Sequence, residues 1–235
     1  MSKVTFYIVR HGRTIMNTLL RSQGWCDSPL TPQGIEVAEF LGLGLKDIEF
    51  DAAYCSTLRR TLQTTEIILK TKGQENIPII EKDGLKEAGM GSYESHDEVD
   101  MWIKLALFMQ YTDPNDIDKD LASGKLKYRD ITDTIAKIDT WGIAEDWDTV
   151  ENRTQSTLRE IAKAESEKGA KNILIVSHAM AIATMLLSLG GDKLIEGDLK
   201  NASVCKVEYD EGKFTVISMG DMSYVERGKL INQSI

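Results

Sequence analysis

Apolar positions along this chain fall into two kinds of run. Short, nearly continuous ones are Val4 to Val9 (V-T-F-Y-I-V), Asp51 to Cys55, Ile77 to Ile80 and Ile173 to Ser177. Runs of that length, rich in β-branched and aromatic residues, predict strands, and those at 4–9 and 173–177 read as central strands buried on both faces of a parallel sheet. Pro78 puts the third strand at an edge or at its own start. Longer stretches with apolar residues three and four apart predict helices. Thr31 and Pro32 supply an N-cap and a first helical residue, and Ile35, Ala38, Phe40, Leu41 and Leu45 form one broad apolar face, with Gly42 and Gly44 expected to weaken its end. Ser56 is read as the cap of a helix to about Lys70, and Asp148 with Glu151 as the capping pair of a helix to about Lys168. A helix at 179–189 follows the strand at 173–177 directly. Ser203 to Tyr209 and Lys213 to Ser218, joined by D-E-G, predict a closing hairpin.

Strands alternating with helices predict a three-layer α/β/α sandwich with a mostly parallel central sheet. The alternation lapses twice. Gly84, Gly89 and Gly91 lie close together and imply a loop from Gly84 to Tyr93. From about 94 to 148 the pattern becomes helical fragments separated by D-P-N-D, A-S-G-K and T-W-G, with Trp102, Leu105, Ala106 and Met109 at helical spacing. We expect this stretch to be an insertion within one domain spanning 1–235. Two placements suit it: a cap over the sheet's active edge, or a solvated helical subdomain with no such role.

Composition narrows the function. With 42% hydrophobic and 28% charged residues the chain has the balance of a globular protein, which sets disorder aside. The net charge of -9 argues against a broad nucleic-acid or anionic-membrane surface, so an anionic substrate must be met by a local basic pocket. Cys26, Cys55 and Cys205 are odd in number and form no C-x-x-C pair, which fits a reducing compartment. Met1 to Val9 lacks the form of a signal peptide, and 179–189 is too short to cross a bilayer, so the cytoplasm is expected.

Two of the three histidines, His11 and His178, end predicted central strands. Ligands bind outside the carboxyl ends of strands in open α/β sheets, so one shared site explains the pair and predicts both rings within reach of one phosphate. Around His11 stand Arg10, whose guanidinium can fork onto an oxyanion, Gly12, where the backbone can turn sharply, and Asn17, an amide donor. Arg59 and Arg60 fall in the first turn of a helix, where a cation needs an anionic partner. Glu87 lies in the glycine-rich loop beside an aromatic residue, where partial desolvation would let it hold a proton more readily than in water. His96 reads as a surface residue. No His/Cys/Asp cluster has metal-ligand spacing, so no metal is expected.

In order along the chain, Arg10-His11-Gly12 with Thr14 and Asn17, Gly24 with Asp27, Pro29 to Thr31 and Gly34, Ser56 with Leu58, Arg60, Gln63 and Thr64, Leu85 with Glu87, Gly91, Tyr93 and Glu94, Glu145 with Arg153, and Val176 to His178 resemble the histidine phosphatase superfamily in its phosphoglycerate-mutase-like branch. The resemblance implies a phosphohistidine formed on His11, non-bridging oxygens bound by Arg10, Arg60, His178 and Asn17, and proton transfer by Glu87, on a small phosphate ester. Departures are Arg13 where Glu is usual, a change expected to strengthen binding of a multiply charged phosphate, Thr61 for Ala, Ser95 and Ala179 for Gly, and Asp146 for Ser. A metal-independent phosphomonoesterase is the leading reading. The alternatives are a phosphoglycerate mutase, which alone would call on 2,3-bisphosphoglycerate as cofactor, and an inactive phosphate-binding module.

Overall fold

The computed structural model describes residues 3–194 and 197–234. Met1 and Ser2, which head the stretch weighed as a leader, lie outside it. Strands β1 (Val4–Arg10), β2 (Ala52–Cys55), β3 (Ile79–Glu81), β4 (Asn172–Ser177), β5 (Val204–Asp210) and β6 (Lys213–Asp221) form one six-stranded sheet in the order β3-β2-β4-β1-β5-β6. The pairs β3–β2, β2–β4 and β4–β1 are parallel, and β5 and β6 add to the β1 side antiparallel. The mostly parallel sheet is therefore as expected, with β3 at one edge just after Pro78.

Side-chain alternation along β1 explains the layers. Val4, Phe6 and Ile8 enter one core, Tyr7 and Val9 the other, and all are buried. The first core receives Leu158 and Ile161 of α7 (Trp147–Lys168) and Ile182 and Met185 of α8 (Ala179–Leu187). The second receives Leu41 of α2 (Pro32–Gly44), Ile68 and Leu69 of α3 (Arg59–Lys72) and Val225 of α9 (Ser223–Asn232). A short helix, α1 (Ile15–Thr18), follows the β1 turn.

The insertion contains α4 (Glu98–Phe108), α5 (Asn115–Ala122) and α6 (Tyr128–Ile138). It has a small core of its own, in which Met101, Leu105, Ile117, Ile131 and Ile135 pack with Tyr93. No described helix is long and apolar enough to cross a membrane.

Several local expectations are corrected. The N-cap of α7 is Asp146, whose carboxylate accepts from the Thr149 N–H at 2.9 Å, because the buried Trp147 brings the chain into the helix before Asp148 is reached. Asp148 instead pairs with Arg129. Helix α3 opens at Leu58 with no side-chain cap, since Ser56 lies two residues ahead of the N-cap, where its hydroxyl accepts from the Leu58 N–H and meets His178. The glycine-rich stretch carries two single-turn 3-10 segments, Asp83–Leu85 and Gly91–Tyr93. Gly42 and Gly44 stay helical, pressed against the Thr71 side chain and the Tyr224 backbone. Helix α9 had no counterpart in the sequence reading.

Candidate active site

β1 and β4 are neighbours in register, Arg10 opposite Ser177, so the residues that follow each strand meet at the same carboxyl edge. The ring centroids of His11 and His178 are 5.2 Å apart, as one shared phosphate site requires. The His11 backbone is held from both sides, its N–H donating to the Ser177 carbonyl and its carbonyl accepting from the Asn201 amide. Gly12 fits a tight corner: a Cβ there would lie 2.7 Å from the Gly34 carbonyl oxygen. Its N–H donates to the Thr64 hydroxyl at 3.0 Å.

The tautomer of His11 follows from one contact. His11 Nδ1 is 2.8 Å from the Gly12 carbonyl oxygen, which can only accept, so Nδ1 carries the proton and Nε2 keeps its lone pair. His11 is 4% exposed, and burial, with Arg60 and Arg10 nearby, lowers its pKa well below the ordinary 6.5. The ring is thus neutral at physiological pH.

His178 and Arg60 stand behind His11, both fully buried. Arg60 Nε donates to His178 Nδ1 at 3.2 Å, which places the single ring proton of His178 on Nε2, 2.7 Å from the Ser56 hydroxyl. Burial and the same arginine push His178 well below 6.5. Arg60 also donates to the carbonyls of Cys26 and Gly24 and to Asp27, the anionic partner that its place in the helix demanded. Both residues therefore reach a phosphate oxygen only by exchanging a bond they already make or, for Arg60, by using its one remaining N–H.

Arg10, His11, Asn17 and Glu87 do line a cavity of about 380 Å³. The Arg10 guanidinium donates to the Leu199 carbonyl, while its Nε is buried without a partner. Burial lowers its pKa, opposed by Glu87, Asp198 and Glu98. Asn17 accepts from the Thr14 N–H through Oδ1, which leaves its amide N–H groups for the cavity. Arg13 is exposed and is not among the lining residues.

Glu87 sits against the N-terminus of α8. Its Oε1 accepts from the N–H groups of Ala88 and Ala181 at 2.9 and 2.8 Å, and its Oε2 accepts a longer bond from Met180 at 3.2 Å. Glu87 is thus buried, as partial desolvation required, but its carboxyl is surrounded by backbone donors, and Oε2 is the oxygen with capacity to spare. The loop is fixed by Arg153, which grips Glu145 through two bonds and donates to the carbonyls of Gly84, Lys86 and Glu87. Glu94 accepts four backbone N–H bonds, from Gly24, Trp25, Cys26 and Met90, and so organises a loop. His96 is exposed.

The insertion closes this edge. Met101 and Trp102 of α4, Leu121 of α5, and Ile131 and Ile135 of α6 line the cavity, so the cap placement holds and the detached subdomain does not. Sequence reasoning missed Glu98, Asp118 and Asp198, which also line it, and Asn201 behind His11. Nothing in their spacing tied them to the two histidines. Among the described residues no group of three or more His, Cys, Asp or Glu is placed to hold a metal ion.

A profile of the histidine phosphatase superfamily (branch 1) matches residues 6–222. The chain belongs to that superfamily. It is 30% identical over 234 residues to a broad-specificity phosphatase of Saccharomyces cerevisiae, covering 97% of this chain and 90% of that one. A 2,3-bisphosphoglycerate-dependent phosphoglycerate mutase of Cytophaga hutchinsonii is 28% identical over 77% of this chain and 75% of its own. The crystal structure of a phosphoglycerate mutase from Bacillus anthracis superposes with a TM-score of 0.91 at 37% identity, covering 97% of each chain. The fold of this superfamily member is thus the phosphoglycerate-mutase-like α/β fold, and phosphatase and mutase names both occur among its relatives.

Proposed function

We propose that this histidine phosphatase is a metal-independent phosphomonoesterase of the cytoplasm, acting on a small phosphate ester through a phosphohistidine on His11. The observation that carries the choice is the charge of the cavity. Among the described residues Arg10 is the sole cationic side chain lining it, against Glu87, Glu98, Asp118 and Asp198. A mutase must retain a bisphosphate while it turns, which calls for cations over the site and exclusion of water. The insertion's own cations serve elsewhere: Lys104 pairs with Asp100, Lys119 with Asp116, Lys125 with Asp120 and Arg129 with Asp148 and Glu151, while Lys127 and Lys137 are exposed outside the cavity. On this reading 2,3-bisphosphoglycerate is no cofactor.

Neutral His11 attacks phosphorus in line through Nε2 as the bond to the leaving oxygen breaks, and the Gly12 carbonyl stabilises the charge arriving on the ring. Arg10 and the Asn17 amide meet the non-bridging oxygens, with the buried Arg60–His178 pair adding positive potential behind. Glu87 protonates the leaving alkoxide. As a carboxylate it then takes a proton from water, whose oxygen attacks phosphorus, the P–N bond breaks, and inorganic phosphate leaves with His11 and Glu87 restored.

The test is rapid-quench labelling of His11. His11→Ala should abolish turnover of every ester. Glu87→Gln should still be phosphorylated by p-nitrophenyl phosphate, whose leaving group needs no proton, and should accumulate phosphohistidine, while alkyl phosphate turnover falls on the order of a hundredfold. Equal loss of labelling rate for both ester types would assign the proton to another group. Efficient phosphoglycerate interconversion, dependent on added 2,3-bisphosphoglycerate and faster than hydrolysis, would replace this reading with the mutase one.

A further inference from the structure

The cavity is built in two unlike parts. At its floor, Arg10, His11 and Asn17 suit a phosphoryl group. Beyond them the walls are Met90, Met101, Trp102, Ile131, Ile135 and Met180, an apolar and aromatic barrel contributed largely by the cap. Carboxylates share this lining, and Glu98 and Asp198 lie close enough to Arg10 to oppose the lowering of its pKa. Glu98, at the start of α4, is half-buried, and Asp118 and Asp198 are exposed at the mouth beside Tyr128. None of these three carboxylates is within 4.0 Å of a lysine or arginine nitrogen among the described ion pairs. Tyr128 feels Asp198 and Asp118, which with burial raise its pKa, and burial raises that of Glu98 against the pull of Arg10. Just outside, the adjoining groove sets Lys127 and Arg129 against Asp118, Glu151, Asp192 and Asp198.

Independently of the acids, the buried His11 presents an Nε2 with no protein partner to this cavity, so a ligand occupies the barrel whenever the site works. Its alcohol half must share the cavity with thioethers, an indole and carboxylates. A carboxylate on that half, as in a phosphoglycerate, would meet apolar walls and like charge. A positive charge would meet its complement there, with the Trp102 face as a further attraction.

We infer that the preferred substrate is a phosphate monoester whose alcohol half carries an ammonium group. The inference rests on the phosphatase reading above and names the substrate class for the same site. Selection on this basis is partly negative, since the rim discriminates by rejecting anions as much as by attracting cations.

The test uses ω-ammonio-, ω-methyl- and ω-carboxy-alkyl phosphates matched at three to six carbons, with p-nitrophenyl phosphate as a control for the chemistry. At low ionic strength kcat/KM should order ammonium over methyl over carboxylate, with at least about tenfold between the extremes, expressed chiefly in KM and shrinking as salt is added. Asp118→Asn, Asp198→Asn and Glu98→Gln should each lower the ammonium-to-methyl ratio, and the first two together should lower it about threefold or more. The ratio, taken within one variant, cancels any loss of folded enzyme. If p-nitrophenyl phosphate is hydrolysed in a His11-dependent way but the carboxylate ester is as good as the ammonium ester at every length, the substrate class is wrong and the phosphatase reading stands. A wild-type preference that survives the paired substitution also overturns it. No hydrolysis of any ester overturns both.

Discussion

Two imidazoles fully enclosed beside two arginines make acid the condition to which this protein is most sensitive. His11 and His178 have pKa values held well below 6.5 in the folded state, by burial first and by Arg60 next. In the unfolded chain both return to about 6.5, so below that pH the unfolded state binds protons that the folded state refuses, and stability falls as pH falls. Each histidine contributes up to about 1.4 kcal/mol per pH unit in that window, until its folded-state pKa is reached. The urea midpoint should therefore drop steadily from pH 7.0 to 5.5, with the ring resonances of both residues staying in the neutral position. A midpoint that is flat or rises on acidification would show that the rings are charged in the fold. At the same scale, Ser95 occupies a position with φ of +63°, the left-handed region that suits the glycine the resemblance implies there. Thr61, in place of the usual Ala, has a use: its hydroxyl is 2.9 Å from that of Ser56, which in turn meets His178.

Among the elements, α2 and α9 pack backbone against backbone, and glycines permit it. A Cβ added at Gly228 would run into the Phe40 carbonyl, and one added at Gly44 into the Tyr224 carbonyl. In both cases the obstacle is backbone, which cannot swing aside as a side chain can. Gly228→Ala should accordingly cost about 1–3 kcal/mol through overpacking, despite alanine's better helix propensity. Urea denaturation measures it. A neutral or stabilising outcome would mean that the helices sit farther apart than described, and because the contact lies away from the catalytic edge, activity of the folded fraction should be unchanged. The same contact shows why reading Gly44 as a local weakness went astray. The residue serves a neighbour some 180 positions on, and local propensity contains nothing about it.

For the molecule as a whole, the cap's core and the two cores flanking the sheet are separate clusters. Few buried side chains hold α4 to α6, so this region should open locally at lower free energy than the sheet. Hydrogen exchange under native conditions should be faster in α4 to α6 than in β1 and β4, and Leu105→Ala should speed it further in the cap while leaving β4 protected. Uniform exchange across both would place the cap in the same cooperative unit as the sheet. The charge of -9 sets no general attraction for anions, and the cation at the candidate site is local: Arg10 lines the cavity, with Arg60 buried near His11. The sequence by itself determined the strands, the parallel sheet and the two histidines at its carboxyl edge, because strand burial and strand-end chemistry are written in consecutive residues. It also located Arg10, Asn17, Arg60 and Glu87. Only the tertiary structure decided which of these face the cavity, since the Arg60–His178 contact joins residues 118 positions apart. It alone turned Arg13 outward, surrounded Glu87 with N–H groups from another element, and brought Glu98, Asp118 and Asp198 around one opening. Those outcomes depend on how separate elements pack, and a polar residue on a loop or helix end carries no periodicity from which its eventual neighbours can be read.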